Sequence, residues 1–139
     1  MLKGIYLLII RLDANVSFEV GALGEVSFTK GFYVYIGSAQ NSLKQRVKRH
    51  LRNDKRLFWH IDYLLNSKHA QIHKIFYKEV GKEEECTVAQ ETSQVGKPVR
   101  GFGCSDCNCK SHLFHLDDYE IFKKYLKGNF DIFQTKIHD

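Results

Sequence analysis

The sequence predicts an α/β protein of the α+β type, with a small central sheet, antiparallel or mixed, flanked by helices. Over residues 3–36, short runs rich in Ile, Val, Phe and Tyr are separated by glycine breaks too short for crossover connections, which fits meandering antiparallel pairing. Further along, apolar residues recur every three or four positions in separate segments, the helical period. A length of 139 residues suits a single domain, and 43% apolar content with only one proline suits a packed core. The longest apolar run, residues 5–10, falls far short of the roughly 20 residues that span a bilayer. The N-terminus also lacks a small-residue cleavage site. A soluble, cytoplasmic protein without a membrane partner is expected.

Residues 3–12 lack helical periodicity and read as a largely buried strand. Val16, Phe18 and Val20 alternate with polar residues, Gly21 and Gly24 break the pattern, and residues 25–29 resume it. Lys30-Gly31 then turns the chain into a strand over residues 32–36, with Tyr33 and Tyr35 on one face and Phe32, Val34 and Ile36 on the other. Gly37-Ser38 is expected to end it. Asn41 or Ser42 caps a helix in which Leu43, Val47 and Leu51 form the inward stripe, while Arg46 and His50, one turn apart, lie at its edge. Lys44, Lys48, Arg49 and Arg52 make the rest of that helix cationic. With a net charge of +5 and a pI near 9.0, this favours a polyanionic partner.

A second helix is expected over residues 59–65, then a strand over residues 72–80 with Ile72, Lys74, Phe76 and Lys78 on one face. A third helix over residues 83–94 opens with three glutamates, which suit the positive end of its dipole. Glu85 precedes Val88 and Ala89 by three and four residues, at the border of the buried face; Glu84 has a similar claim. Residues 96–103 read as a glycine-rich loop, residues 111–116 as a short strand, and residues 117–127 as an acid-capped helix with Tyr119, Phe122 and Leu126 inward.

Gly4-Ile5-Tyr6, then Tyr35-Ile36-Gly37, then Arg46 and His50 in the following helix and an acidic residue in a later one, resemble the signature of the GIY-YIG endonuclease superfamily. The segments GSAQNSLKQRVKRHL, WHIDYLL and GFGCSDCNCKSHLF are similar to a branch of small members, some fused to a DNA-repair glycosylase. The likeness spans residues 1 to about 116, leaving residues 117–139 as a C-terminal helical extension. It implies a central antiparallel sheet and metal-dependent hydrolysis of a phosphodiester in nucleic acid, DNA above all, in repair or processing, with a repair protein as a further partner. It also implies roles. Tyr6 and Tyr35 would hold the attacking water, Arg46 would contact the scissile phosphate, His50 would assist proton transfer, and Glu85 would hold one Mg²⁺ or Mn²⁺. Lys44, Lys48, Arg49 and Arg52 would follow the nucleic-acid backbone, and His60 and Asp62 would support the site from behind. The 28 residues between Tyr6 and Tyr35 exceed the usual connection and hold an extra strand pair.

These residue types suit that chemistry. An arginine fork meets phosphate oxygens bidentately, a hard cation takes carboxylate and water oxygens, and a histidine with an unperturbed pKa of about 6.5 transfers protons at neutral pH. Each has a plainer rival. The tyrosines have a rival reading as core aromatics and the basic helix as a solvated face, both outweighed by the ordered signature, while His60 and Asp62 read equally as parts of a helix packed through Trp59, Ile61 and Leu65. A silent nucleic-acid-binding module is therefore the alternative to an enzyme. Cys104, Cys107, Cys109 and His112 offer soft ligands for a structural zinc, with Cys86 within reach of the fold, although the spacing is not that of two separated ligand pairs. The rival reading is reduced thiols in a tight loop.

Overall fold

The computed structural model of the chain describes residues 2–104 and 109–134. In chain order the strands are β1 (Gly4–Leu12), β2 (Val16–Glu19), β3 (Glu25–Phe28), β4 (Gly31–Ala39), β5 (Ala70–Lys78), β6 (Gly96–Pro98), β7 (Leu113–Leu116) and β8 (Asp131–Ile132). The helices are α1 (Leu43–Leu51), α2 (His60–Leu65), α3 (Glu84–Thr92) and α4 (Tyr119–Asn129). Six strands form one sheet in the order β6-β7-β4-β1-β5-β8, with every neighbouring pair antiparallel. β2 and β3 pair separately, as the extra hairpin expected between the two tyrosine motifs.

β1 is buried at every position from 4 to 10, which explains its unbroken apolar run: a central strand covered on both faces needs no polar alternation. Alternation instead sorts its side chains between two cores. Tyr6, Leu8 and Ile10 join Tyr33 on one face, packed with Leu43 and Val47 of α1, Ile61 and Leu64 of α2, and Phe28 of the hairpin. Ile5, Leu7 and Ile9 join Val34 and Ile36 on the other, packed with Val88 of α3 and Phe122 and Leu126 of α4. Each large apolar side chain buried in this way contributes about 1.5–3 kcal/mol.

Four details depart from the sequence expectations. β4 continues through Gly37 and Ser38 to Ala39, because β1 offers partners all the way to Gly4. In β5 the register against β1 slips between Ile9, opposite Lys74, and Ile10, opposite Ile72. One extra residue reverses the alternation. Ile72 therefore packs with Ile75 and Tyr77, while Lys74, Phe76 and Lys78 stay on the opposite face. The start of the expected glycine-rich loop, Gly96–Pro98, is an edge strand on β7, where Pro98 costs little because an edge needs fewer donors. β8, two residues long, is too short to leave a periodic signal.

Candidate active site

The site begins with two glycines. A β-carbon on Gly4 would collide with the Lys78 carbonyl oxygen, and one on Gly37 would collide with the Tyr6 ring. Tyr6 and Gly37 are direct partners across β1 and β4, so the bare backbone at Gly37 is what lets the Tyr6 ring lie across the neighbouring strand. Tyr35, two residues earlier on the same face, brings its ring centroid to 6.4 Å from that of Tyr6. Both phenols line one cavity of about 770 Å³, together with Arg46 and Glu85.

α1 supplies the next two groups. Ser42 is its cap, accepting the Gln45 N–H at 3.2 Å, an interaction that stabilises a helix by about 1 kcal/mol. Arg46 faces the cavity. Its Nη1 donates to the Ser38 carbonyl at 2.9 Å, and its guanidinium lies 4.6 Å from the Trp59 ring centre. The fork is held on two sides and keeps further donors for an anion.

His50 sits behind Tyr6, not at the edge of the stripe: it is 2% exposed and does not line the cavity. Its Nε2 lies 2.7 Å from the Tyr6 hydroxyl, and its Nδ1 is buried with no hydrogen-bond partner among the described residues. A buried N–H without an acceptor is costlier than a bare lone pair. The tautomer with its proton on Nε2, donated to the Tyr6 oxygen, avoids that cost. Burial lowers the His50 pKa to about 3, so the ring is neutral at physiological pH. Burial likewise raises the pKa of both Tyr6 and Tyr35, outweighing the nearby Arg46 charge, which keeps the phenols protonated in the absence of a metal ion.

Glu85 comes from the first turn of α3. It and Glu83 line the cavity, and Glu84 does not. One Glu85 oxygen lies 3.7 Å from His112 Nδ1. Oxygen donors on one wall, with open volume beside them, fit a hard divalent cation that keeps most of its water.

The other predicted residues separate. Lys44 and Lys48 on α1 and Arg52 just after it are exposed. Arg49 is not available in the same way: it grips Asp62 through two bonds of 2.8 and 2.9 Å, donates to the Arg56 carbonyl, and stacks 4.2 Å from the Trp59 ring centre. It is a strut and not a loose phosphate ligand. Asp62 is 0% exposed and also accepts the Phe58 and Trp59 N–H groups. Burial alone would raise its pKa, but Arg49 and those two N–H groups reverse that and hold the carboxyl below its usual range. It supports α2 without reaching the cavity. His60 does line it, with Nδ1 accepting the Gly103 N–H at 2.8 Å.

Of the four soft ligands expected together, Cys107 lies outside the described residues and Cys104 is not in the cluster. Cys109 and His112 instead meet Cys86 of α3, with all three ligand atoms within 4.8 Å of one another, a group able to hold a metal ion. The sequence pattern does not single out Phe58, 72% exposed at the cavity, or the full part of Trp59, which carries two arginines. Two adjacent aromatics after a basic loop are the available signal.

Among the described residues no helix is long and apolar enough to cross a membrane. No curated protein and no solved structure matches the chain. A family model described as "Domain of unknown function DUF123" matches residues 5–135, a span that takes in both tyrosine strands, α1, the cavity wall and α4. The chain belongs to that family, DUF123.

Proposed function

We propose that this chain is a GIY-YIG-type nuclease that hydrolyses phosphodiester bonds in nucleic acid, DNA first, with the help of one Mg²⁺ or Mn²⁺. The observation that carries this is convergence: Tyr6, Tyr35, Arg46 and Glu85, from β1, β4, α1 and α3, line one cavity. The sheet and its core bring Tyr6 and Tyr35 together, and Arg46 and Glu85 are added from helices α1 and α3 at the same hollow.

Arg46, already fixed by Ser38 and Trp59, binds a phosphate oxygen and meets charge that grows in the transition state. The Tyr6 hydroxyl, backed by His50, and the Tyr35 hydroxyl orient the attacking water. Glu85 would hold the cation, which supplies charge neutralisation and a more acidic water. Exposed Lys44, Lys48 and Arg52 attract the nucleic-acid backbone in a salt-dependent way. A second reading, a silent binding module, is favoured by the burial that keeps both phenols protonated.

A panel of single-stranded, duplex, branched and abasic DNA and structured RNA, incubated with Mg²⁺ or Mn²⁺, separates the two. The nuclease cuts at least one of these, and Arg46→Ala and Glu85→Ala abolish cutting while binding largely survives. Binding with no cutting anywhere would leave the module. A repair protein that delivers the substrate belongs to the same proposal, and co-purification with tagged chain tests it.

A further inference from the structure

We propose that Cys86, Cys109 and His112 form a second and chemically different metal site, for zinc, that ties α3 to the segment leading into β7. The cluster adjoins the oxygen-lined wall, since Cys86 follows Glu85 directly and both Cys86 and His112 line the same cavity. Its donors are soft. Two thiolates and an imidazole select zinc over the hard ion a carboxylate takes, and two thiolates balance the charge of a divalent ion.

The geometry is close to what zinc needs. The Cys86 and Cys109 sulfurs stand 2.8 Å apart, and the His112 nitrogen completes a triangle within 4.8 Å. Tetrahedral zinc with bonds of about 2.3 Å places its sulfurs roughly 3.8 Å apart. Opening the thiol pair by about an ångström, within rotamer reach of two half-buried side chains, admits the ion. His112 is the fixed corner: it is 2% exposed, its backbone N–H donates to Phe102 at 2.8 Å, and its carbonyl accepts from Ile36 at 2.9 Å. The fourth position faces the cavity, where a Glu85 carboxylate oxygen already stands 3.7 Å from His112 Nδ1. A thiol pair this close, next to a clamped imidazole, has no equally good use in packing, because apolar residues of the same volume would fill the wall without burying polarisable, oxidisable groups. Zinc there would fix the first turn of α3 and with it the direction of Glu85.

The experiment is metal analysis of the full chain purified with a thiol reductant and without chelator. The expected result is close to one zinc per chain, released when a mercurial blocks the thiols. Cys86→Ser and Cys109→Ser should each bring zinc to near zero, whereas Glu85→Gln should keep it, whether or not the chain cuts nucleic acid. Should the serine variants misfold, Co²⁺ in the wild-type protein decides, since thiolate ligation gives an intense sulfur-to-cobalt charge-transfer band. The inference is overturned by wild-type protein that holds no zinc and takes none up under reducing conditions. A Cys86–Cys109 disulfide in that reduced preparation, iron in place of zinc, or full zinc content in both serine variants would overturn it equally.

Discussion

Tyr6 and Leu7 are neighbours in β1, both essentially inaccessible to solvent, and they belong to opposite faces of the same sheet. The buried residues of the Leu7 face are Ile, Val, Leu, Phe and Ala, with Tyr119, Tyr125 and Cys109 only at its margin. The Tyr6 face is just as buried but threaded with polar atoms: the Tyr6–His50 bond, the Arg46 guanidinium, and the Arg49–Asp62 pair beyond them. Apolar burial alone would have stabilised both faces. Carrying buried polar groups costs desolvation that hydrogen bonds only partly return, so on the polar face packing is not the whole explanation of the residues present.

The widest separation between the faces is expected from that neighbouring pair. Leu7→Ala should cost about 2–5 kcal/mol in urea unfolding by leaving a cavity in a fully packed core. Tyr6→Phe keeps the ring and leaves only the buried His50 nitrogen without its partner, so it should cost less, about 1–3 kcal/mol. Its effect should fall on turnover instead, by about 10²-fold or more where cleavage is observed. Equal stability losses in the two variants would erase the distinction between the faces.

Asp62→Ala should come next, at about 3 kcal/mol, because it strands Arg49 and frees two backbone N–H groups. Arg49 is a quarter exposed, which places the cost at the low end. Thermal unfolding measures this, and a loss under about 1 kcal/mol would show the pair to be a surface one.

His50 gives a pH-dependent effect. The unfolded chain binds a proton at this ring below about pH 6.5, while the folded chain refuses it until about pH 3. Acid therefore favours the unfolded state. Between about pH 6 and 4, His50 should remove about 1.4 kcal/mol of stability per pH unit, a slope component that His50→Asn abolishes. An unchanged slope in that variant would mean the ring titrates normally.

The smallest effect belongs to the exposed side of α1. Lys44→Gln with Lys48→Gln should leave stability unchanged within about 0.5 kcal/mol. Titrations of DNA binding at several salt concentrations should show a shallower log–log slope, by roughly 0.9 for each phosphate the lysines had neutralised. Adding Arg49→Gln should destabilise the fold, which sets this residue apart from its cationic neighbours.

Much of this is legible in the chain. The strands around Tyr6 and Tyr35, the helix after Gly37 and the cap choices all follow from local sterics and periodicity. The place of Ile72 does not, because a bulge is set by the partner strand, and β8 and β6 escape notice because short edge strands take their identity from the sheet they join. Arg49 looks like the other helix cations in sequence because its acidic partner stands thirteen residues away in another helix.

The sequence by itself determined which side chains share a strand face or a helix stripe, because those periods are properties of a few consecutive peptide units. It therefore set Tyr33 and Tyr35 together, and Arg46 one turn from His50. Only the tertiary structure decided that Gly37 makes room for Tyr6, that His50 lies behind that ring and outside the cavity, that Glu85 and not Glu84 faces it, and that Cys109 and His112 meet Cys86. The physical reason is that these depend on register and helix rotation, which are settled by packing distant segments into two cores and not by any interaction along the local chain.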